Sequence, residues 1–197
     1  MSHDEDRLDV TRRDALKTLA VGIGAAAVMP LMPAGIAEAA RQAVAARKHG
    51  APLTFFTPAQ HRTVDVLAEL IIPADDRSPG AHEAGVADYI DYVLGQSPPE
   101  DGAAWTAGLA ALDQASTRDY GKRFAELSAE QQTAMLTAAA KNEFSPATPL
   151  EHFFRDAKSH TIFAYYTTDI GIHRELKYKG NQYLAEFVGC DHPEHME

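Results

Sequence analysis

The chain has 197 residues, of which 45% are hydrophobic and 23% charged, a composition typical of one globular domain with room for a short extension. Its formal net charge is −10, and no cluster of Lys and Arg offers the phosphate neutralisation that nucleic-acid binding requires. The single cysteine, Cys190, excludes an internal disulfide.

Residues 1–40 have the order of an export signal. A polar start is followed by a weakly apolar run at residues 19–32, and then by small residues in an A-x-A arrangement around Ala37 and Ala39. The apolar run is too short and too rich in glycine for a membrane span. We therefore predict cleavage near Ala39 or Ala40.

The segment "TRRDALK" resembles the twin-arginine export pattern. Arg12, Arg13, Leu16 and Lys17 match that pattern, while Ala15 stands where Phe is preferred. This pathway carries proteins that have already folded, so we expect a folded protein in the periplasm, and the short apolar run predicts no membrane span. The alternative is an amphipathic N-terminal helix that contains an arginine pair by chance.

A helical domain is predicted over residues 54–168, after a linker at residues 41–53 in which Gly50 and Pro52 interrupt any helix. Three of its helices begin with a capping box, in which a hydroxyl caps the first turn and a longer side chain reaches back. The boxes pair Thr57 with Gln60, Ser128 with Gln131, and Thr148 with Glu151.

Apolar residues at helical spacing mark the helices of this domain. The stripes are Val64, Leu67, Leu70 and Ile71; Val86, Tyr89, Ile90 and Val93; Trp105, Leu109 and Leu112; Met135 and Leu136; and Leu150, Phe153, Phe154, Ala157, Ile162 and Tyr165. Pro73 and Gly95 should end the first two helices, and Asp101 is a candidate cap of the third. No segment alternates as a half-buried strand does, so we predict a compact all-α domain of about five helices.

The sequence changes character from Asp169 onward, where aromatic residues are scattered among glycines and charges. We predict that residues 169–197 form an irregular C-terminal arm. Its aromatic side chains would either pack back on the helices or bind another protein.

The motifs that most cofactors need are missing from the sequence. It contains no P-loop and no G-x-G-x-x-G, and one cysteine cannot supply a C-x-x-C-H haem site or an all-cysteine cluster. No Glu is followed three residues later by His, which removes the usual di-iron signature of helix bundles.

Three groups of side chains could still carry chemistry. His152, Asp156 and His160 recur every four residues on one helix face, either as metal ligands or as the polar face of an amphipathic helix. The segment "CDHPEH", at residues 190–195, gathers ligand-type residues, but it lies in a tail.

The third group is the pair of Asp75 and Asp76, with Arg77 beside it, in the loop "PADDRSPGA". Paired carboxylates can raise one another's pKa and so do acid–base work or bind a metal. Asp, Pro, Gly and Ser are also the residues that turn geometry selects, so a structural or docking role is the alternative.

The region around this loop resembles a known family. The "LAELIIP" helix end, the Asp-rich "SPGA" turn and "AGVADYID" are similar to the gluconate 2-dehydrogenase subunit 3 family, as is "YKGNQYLAEFVGCDHPEH" near the end of the chain. Tyr89 stands where the family frequently has Phe. The resemblance spans roughly residues 54–195.

The resemblance implies a subunit without an active site of its own. In such complexes a large flavoprotein of the glucose–methanol–choline oxidoreductase type holds FAD and oxidises a sugar or polyol, and a c-type cytochrome often receives the electrons. This chain would then contain no catalytic residue and no cofactor. It would aid the export, folding and stability of the large subunit.

Under this hypothesis we expect the large subunit to bind the C-terminal arm and the nearby turn. The expected docking residues are Tyr178, Lys179, Tyr183, Phe187 and Cys190 in the arm, and Asp75, Asp76 and Arg77 in the turn. Cys190 would be either a free thiol or a disulfide to the large subunit. Two other function classes stay open: a metal-dependent helical enzyme and a free-standing periplasmic binding or scaffold protein.

Overall fold

The structure is a computed structural model that describes residues 34–180. Within this range all regular structure is helical and no strand occurs, which confirms the all-α prediction. The α-helices are α1 (Ala34–Lys48), α2 (Pro58–Ile71), α3 (Ala81–Ala84), α4 (Val86–Gln96), α5 (Pro99–Tyr120), α6 (Ala129–Ala140) and α7 (Pro149–Thr167). A 3-10 turn lies at Phe124–Glu126 and a π-helical turn at Ile170–Glu175. None of these helices is long and apolar enough to cross a membrane.

The capping boxes begin three helices where the sequence predicts them. In α2, α6 and α7 the hydroxyl of Thr57, Ser128 or Thr148 accepts a backbone N–H, and the side chain of Gln60, Gln131 or Glu151 accepts the N–H of the cap. The prediction that Asp101 caps α5 is wrong, because α5 begins at Pro99, after Pro98. Asp101 lies instead in the first turn, where a carboxylate interacts favourably with the helix dipole.

Helix α1 corrects the prediction of a linker at residues 41–53. Residues 41–48 are helical and pack on α4, with Ala40 fully buried and Val44 nearly so. Gly50, with a φ of +88°, follows the helix rather than preventing it. The face of α1 that packs on the core contains Ile36, Ala40 and Val44, of which the first two lie in the predicted export signal.

Helix α7 packs against α4, α5 and α6 and forms the centre of the domain. Phe153, Ala157 and Tyr165 are buried as predicted, but Ile162 is 39% exposed. Thr161 takes its place in the core at 1% exposure, because it shares a helix face with Ala157 and Tyr165 at four-residue spacing.

An aromatic cluster joins the segment before α2 to this centre. The ring centroids of Phe56 and Trp105 lie 5.9 Å apart, and those of Trp105 and Phe153 lie 5.5 Å apart. Helices α5 and α7 approach closely because position 108 is glycine, where a Cβ would lie 2.0 Å from the Phe153 ring. The packing of Trp105 therefore depends on both the loop and the helix crossing.

One buried carboxylate positions that loop. Asp91 of α4 is only 2% exposed. Its oxygens accept the backbone N–H groups of Thr54, Phe55 and Phe56 at 2.7, 3.0 and 2.7 Å, and the Thr54 hydroxyl at 2.9 Å. A buried charge is tolerated when hydrogen bonds replace its lost hydration. We call this set of bonds the Asp91 clamp.

Asp91→Asn should lower the free energy of unfolding by about 2–4 kcal/mol, because the amide removes the charge and turns donors toward the loop N–H groups. Denaturant unfolding measures this change. Asp76→Asn, at an exposed position, is the control and should change stability by less than about 0.5 kcal/mol. Equal effects of the two substitutions would contradict the clamp.

Tyr89 generates a second stability prediction. Its side chain is fully buried, and within residues 34–180 its hydroxyl has no hydrogen-bond partner. Because an unsatisfied buried polar group is unfavourable, Tyr89→Phe should raise the free energy of unfolding by about 1 kcal/mol. Thermal denaturation checks this, with Tyr165→Phe as the control, since the Tyr165 hydroxyl is hydrogen-bonded. Similar losses in both variants would show that the Tyr89 hydroxyl has a partner.

Candidate functional site

The loop at residues 73–80, which we call the Asp75 turn, connects α2 to α3. Asp75 Oδ1 accepts the N–H groups of Arg77 and Ser78, both at 2.8 Å, and the Asp75 N–H donates to the Ser78 carbonyl at 3.0 Å. The two bonds to Oδ1 hold the pKa of Asp75 below its usual value. The carboxylate therefore shapes its own turn, as Asp commonly does, and remains ionised.

A second carboxylate holds the other side of the Asp75 turn. Glu69 of α2 accepts the N–H of Ala74 at 3.2 Å and the N–H of His82 at 2.8 Å. Gly80 makes room for this side chain, because a Cβ there would lie 2.3 Å from Glu69 Oε1. Glu69 and Asp75 therefore hold the turn by accepting its backbone N–H groups and that of the adjoining His82.

The turn is also attached to the end of α7. The Ser78 and Tyr165 hydroxyls lie 2.7 Å apart, and the Tyr165 O–H donates to the Pro79 carbonyl at 2.7 Å. Burial raises the pKa of Tyr165, the hydrogen bond with Ser78 partly offsets this rise, and the charges of Glu175 and Asp75 add to it. The turn and the first residues of the C-terminal arm therefore both lie within electrostatic range of Tyr165.

Only part of the predicted docking set lies in the described residues. Asp75, Asp76, Arg77, Tyr178 and Lys179 are exposed there, and the Tyr178 N–H donates to the Ile172 carbonyl at 3.0 Å. Tyr183, Phe187 and Cys190 lie outside the described residues, as do the export-signal residues Arg12, Arg13, Leu16 and Lys17. Residues 170–175, expected to be irregular, form the π-helical turn.

A groove that the sequence did not predict lies between α4, α5 and α7. We call it the Trp105 groove, and its volume is about 420 Å³. Val93, Trp105 and Phe153 supply apolar walls, and Ile36 of α1 extends them. The polar residues of its lining include Asp101, His152, Asp156 and His160. A groove assembled from four separate helices leaves no signal in local sequence.

The helix face of His152, Asp156 and His160 is therefore part of this lining. His160 Nδ1 pairs with the Asp156 carbonyl at 2.7 Å, and its ring packs edge-on against Trp105 at 5.3 Å. The Asp156 carboxylate accepts a hydrogen bond from the Arg155 Nε–H at 3.1 Å. Between residues 34 and 180, no three His, Cys, Asp or Glu side chains are grouped so that they could hold a metal ion.

The comparison with protein families decides the family of the chain. Residues 58–183, from the start of α2 into the C-terminal arm, match the sequence pattern of the protein family gluconate 2-dehydrogenase subunit 3. The chain belongs to this family. No curated protein and no solved structure shows significant similarity to it. In this member of the subunit 3 family, the Asp75 turn and most of the Trp105 groove lie within the matched residues.

Asp75→Ala should lower the melting temperature near neutral pH, and the difference from wild type should disappear in acid. The folded pKa of Asp75 is depressed, so its contribution is present above the unfolded pKa of about 3.9 and is lost as the pH falls through the folded value. Thermal melts of the variant and the wild type, from neutral pH down to below the folded pKa of Asp75, measure the difference in melting temperature. Asp76→Ala controls for removing an exposed carboxylate. A difference independent of pH would contradict the role of the ionised Asp75.

Proposed function

We propose that this chain is the non-catalytic small subunit of an exported FAD-dependent dehydrogenase of sugars or polyols such as gluconate. The large subunit is a flavoprotein of the glucose–methanol–choline oxidoreductase type that holds the FAD, and a c-type cytochrome can be a third component. The small subunit accompanies the flavoprotein through twin-arginine export into the periplasm and supports its folding and stability. The match to a family described as a subunit of gluconate 2-dehydrogenase carries the proposal.

The bonding of the carboxylates supports a role without catalysis. Asp75 accepts backbone N–H groups of its own turn, and Asp91 of α4 accepts those of the loop at residues 54–56. The N–H of Ala147 and the side chain of Asn142 lower the pKa of Glu151 to about 2. General acid–base catalysis favours a group whose pKa lies near the working pH. The pKa of Glu151 lies far below neutral pH, and Asp75 and Asp91 use their oxygens to hold backbone N–H groups.

The Trp105 groove supports a role in binding another protein. An apolar floor with ionisable residues around it corresponds to the dry core and wet rim of protein interfaces. Trp105 and Phe153 supply this apolar surface, and the small exposed residues Ala104 and Ala107 leave room for an entering side chain. We infer that the large subunit inserts an apolar side chain into this groove, in addition to contacting Tyr178 and the rest of the arm.

Deleting this chain should abolish export or FAD loading of a co-expressed flavoprotein partner. Cell fractionation and flavin absorbance of the periplasmic fraction measure the two outcomes. A partner that is exported, flavin-loaded and active without this chain would contradict the accessory role. Tightly bound stoichiometric metal in the purified chain would instead favour the metal-dependent enzyme.

A matched pair of variants on α5 tests the groove within the same experiment. Ala103 and Ala104 are both exposed, but only Ala104 lines the Trp105 groove. Ala104→Arg should reduce co-purification of the flavoprotein by roughly tenfold or more, because the long cation fills the groove, whereas Ala103→Arg should leave it unchanged. Both variants should melt as the wild type does. Equal co-purification would place the docking surface elsewhere.

A further inference from the structure

The bond that the sequence predicts an export peptidase to cut lies inside a packed helix. The small residues Ala37 and Ala39 belong to α1, which runs from Ala34 to Lys48. Glu38 between them pairs with Arg41 and accepts the Gln42 side-chain amide at 3.2 Å. The A-x-A segment is therefore helical, whereas a peptidase needs it accessible and extended.

Burial adds to this protection. Ala40, which directly follows the predicted cleavage bond, is fully buried, and Ile36 packs against the core and lines the Trp105 groove. Further along α1, Val44 lies against position 85, where a Cβ would be 2.5 Å from Val44 Cγ1. Only glycine at that position, with its φ of +72°, lets α1 approach so closely. Unwinding the first turns would expose these apolar side chains.

Polar bonds attach α1 to two other helices. The Arg41 guanidinium donates to the carbonyl of Thr167 at the end of α7, at 3.2 Å. The Arg47 guanidinium donates to Asp88 of α4 at 3.1 Å. His61 of α2 contacts the same Asp88 oxygen at 2.9 Å, so α1 shares one partly buried ion-pair cluster with α2 and α4.

We propose that α1 is retained in the exported protein, because its packing protects the bond after Ala39 from the export peptidase. The proposal rests on twin-arginine export, which presents the leader attached to an already folded domain. Peptide bonds in buried, hydrogen-bonded backbone are cut only through local unfolding. Retaining α1 also keeps Ile36 in the wall of the Trp105 groove, so the inferred docking surface stays complete after export.

Digestion of the purified full-length chain by a bacterial signal peptidase in detergent tests the proposal directly. Val44→Asp leaves residues 37–40 unchanged but places a charge on the buried face of α1, and Ala45→Asp places the same charge on its exposed face. Intact-mass analysis should show no cut after Ala39 in the wild type and in Ala45→Asp. Val44→Asp should be cut there at least about tenfold faster, because cleavage follows the population of the unwound helix.

Two results would overturn the proposal: cleavage of the wild type after Ala39 as fast as of Val44→Asp, or no cleavage of either. If Val44→Asp unfolds the whole domain, seen as a loss of native Trp105 fluorescence, Arg47→Ala replaces it. That change removes the bond to Asp88 without altering the core, and should still accelerate cleavage after Ala39.

The N-terminus of the exported chain provides the second measurement. Mass spectrometry of the periplasmic fraction should find residues 34–40 still attached, and a terminus at Ala40 or Arg41 would overturn the proposal. Absence of the chain from the periplasm would contradict the proposed export instead. The digestion in detergent does not depend on export, so the two failures are distinguishable.

Discussion

The domain depends on the hydrogen bonding of one buried carboxylate, Asp91. A charge so deep in the interior is acceptable only while several donors face it, so the chain bends at residues 54–56 and turns three successive N–H groups toward α4. That arrangement fixes where α2 begins and directs Phe56 onto Trp105. Because Trp105 in turn packs on Phe153, the same carboxylate influences how α5 and α7 cross. The Trp105 groove is the space left open beside this crossing.

Several carboxylates in residues 34–180 hold the structure together. Asp75 and Glu69 close a turn, and Asp88 joins three helices. Helix α1 contacts both the Trp105 groove and the region where the C-terminal arm begins. Ile36 lines the groove, and Arg41 bonds to the end of α7, just before the arm. Both surfaces are the ones that the proposed small-subunit role would use.

Features that depend on neighbouring residues were predictable, and features that depend on packing were not. A capping box is complete within four residues, so Thr57, Ser128 and Thr148 mark their helix starts correctly. Residues 41–48 of α1 were predicted as part of a linker, since the face that contains Val44 becomes a core face only when α4 lies against it. The choice of Thr161 rather than Ile162 for the core likewise depends on which helices surround α7.

The sequence by itself determined the all-α class, the family and the positions of the main helices, because short-range hydrogen bonds and helical periodicity encode them. The tertiary structure alone decided what the polar clusters do. It showed that the Asp75 carboxylate holds a turn, that His152, Asp156 and His160 line a groove, and that Asp91 clamps a loop. The Asp91 bond to Thr54 joins residues 37 positions apart, and burial at that range arises only when the helices pack.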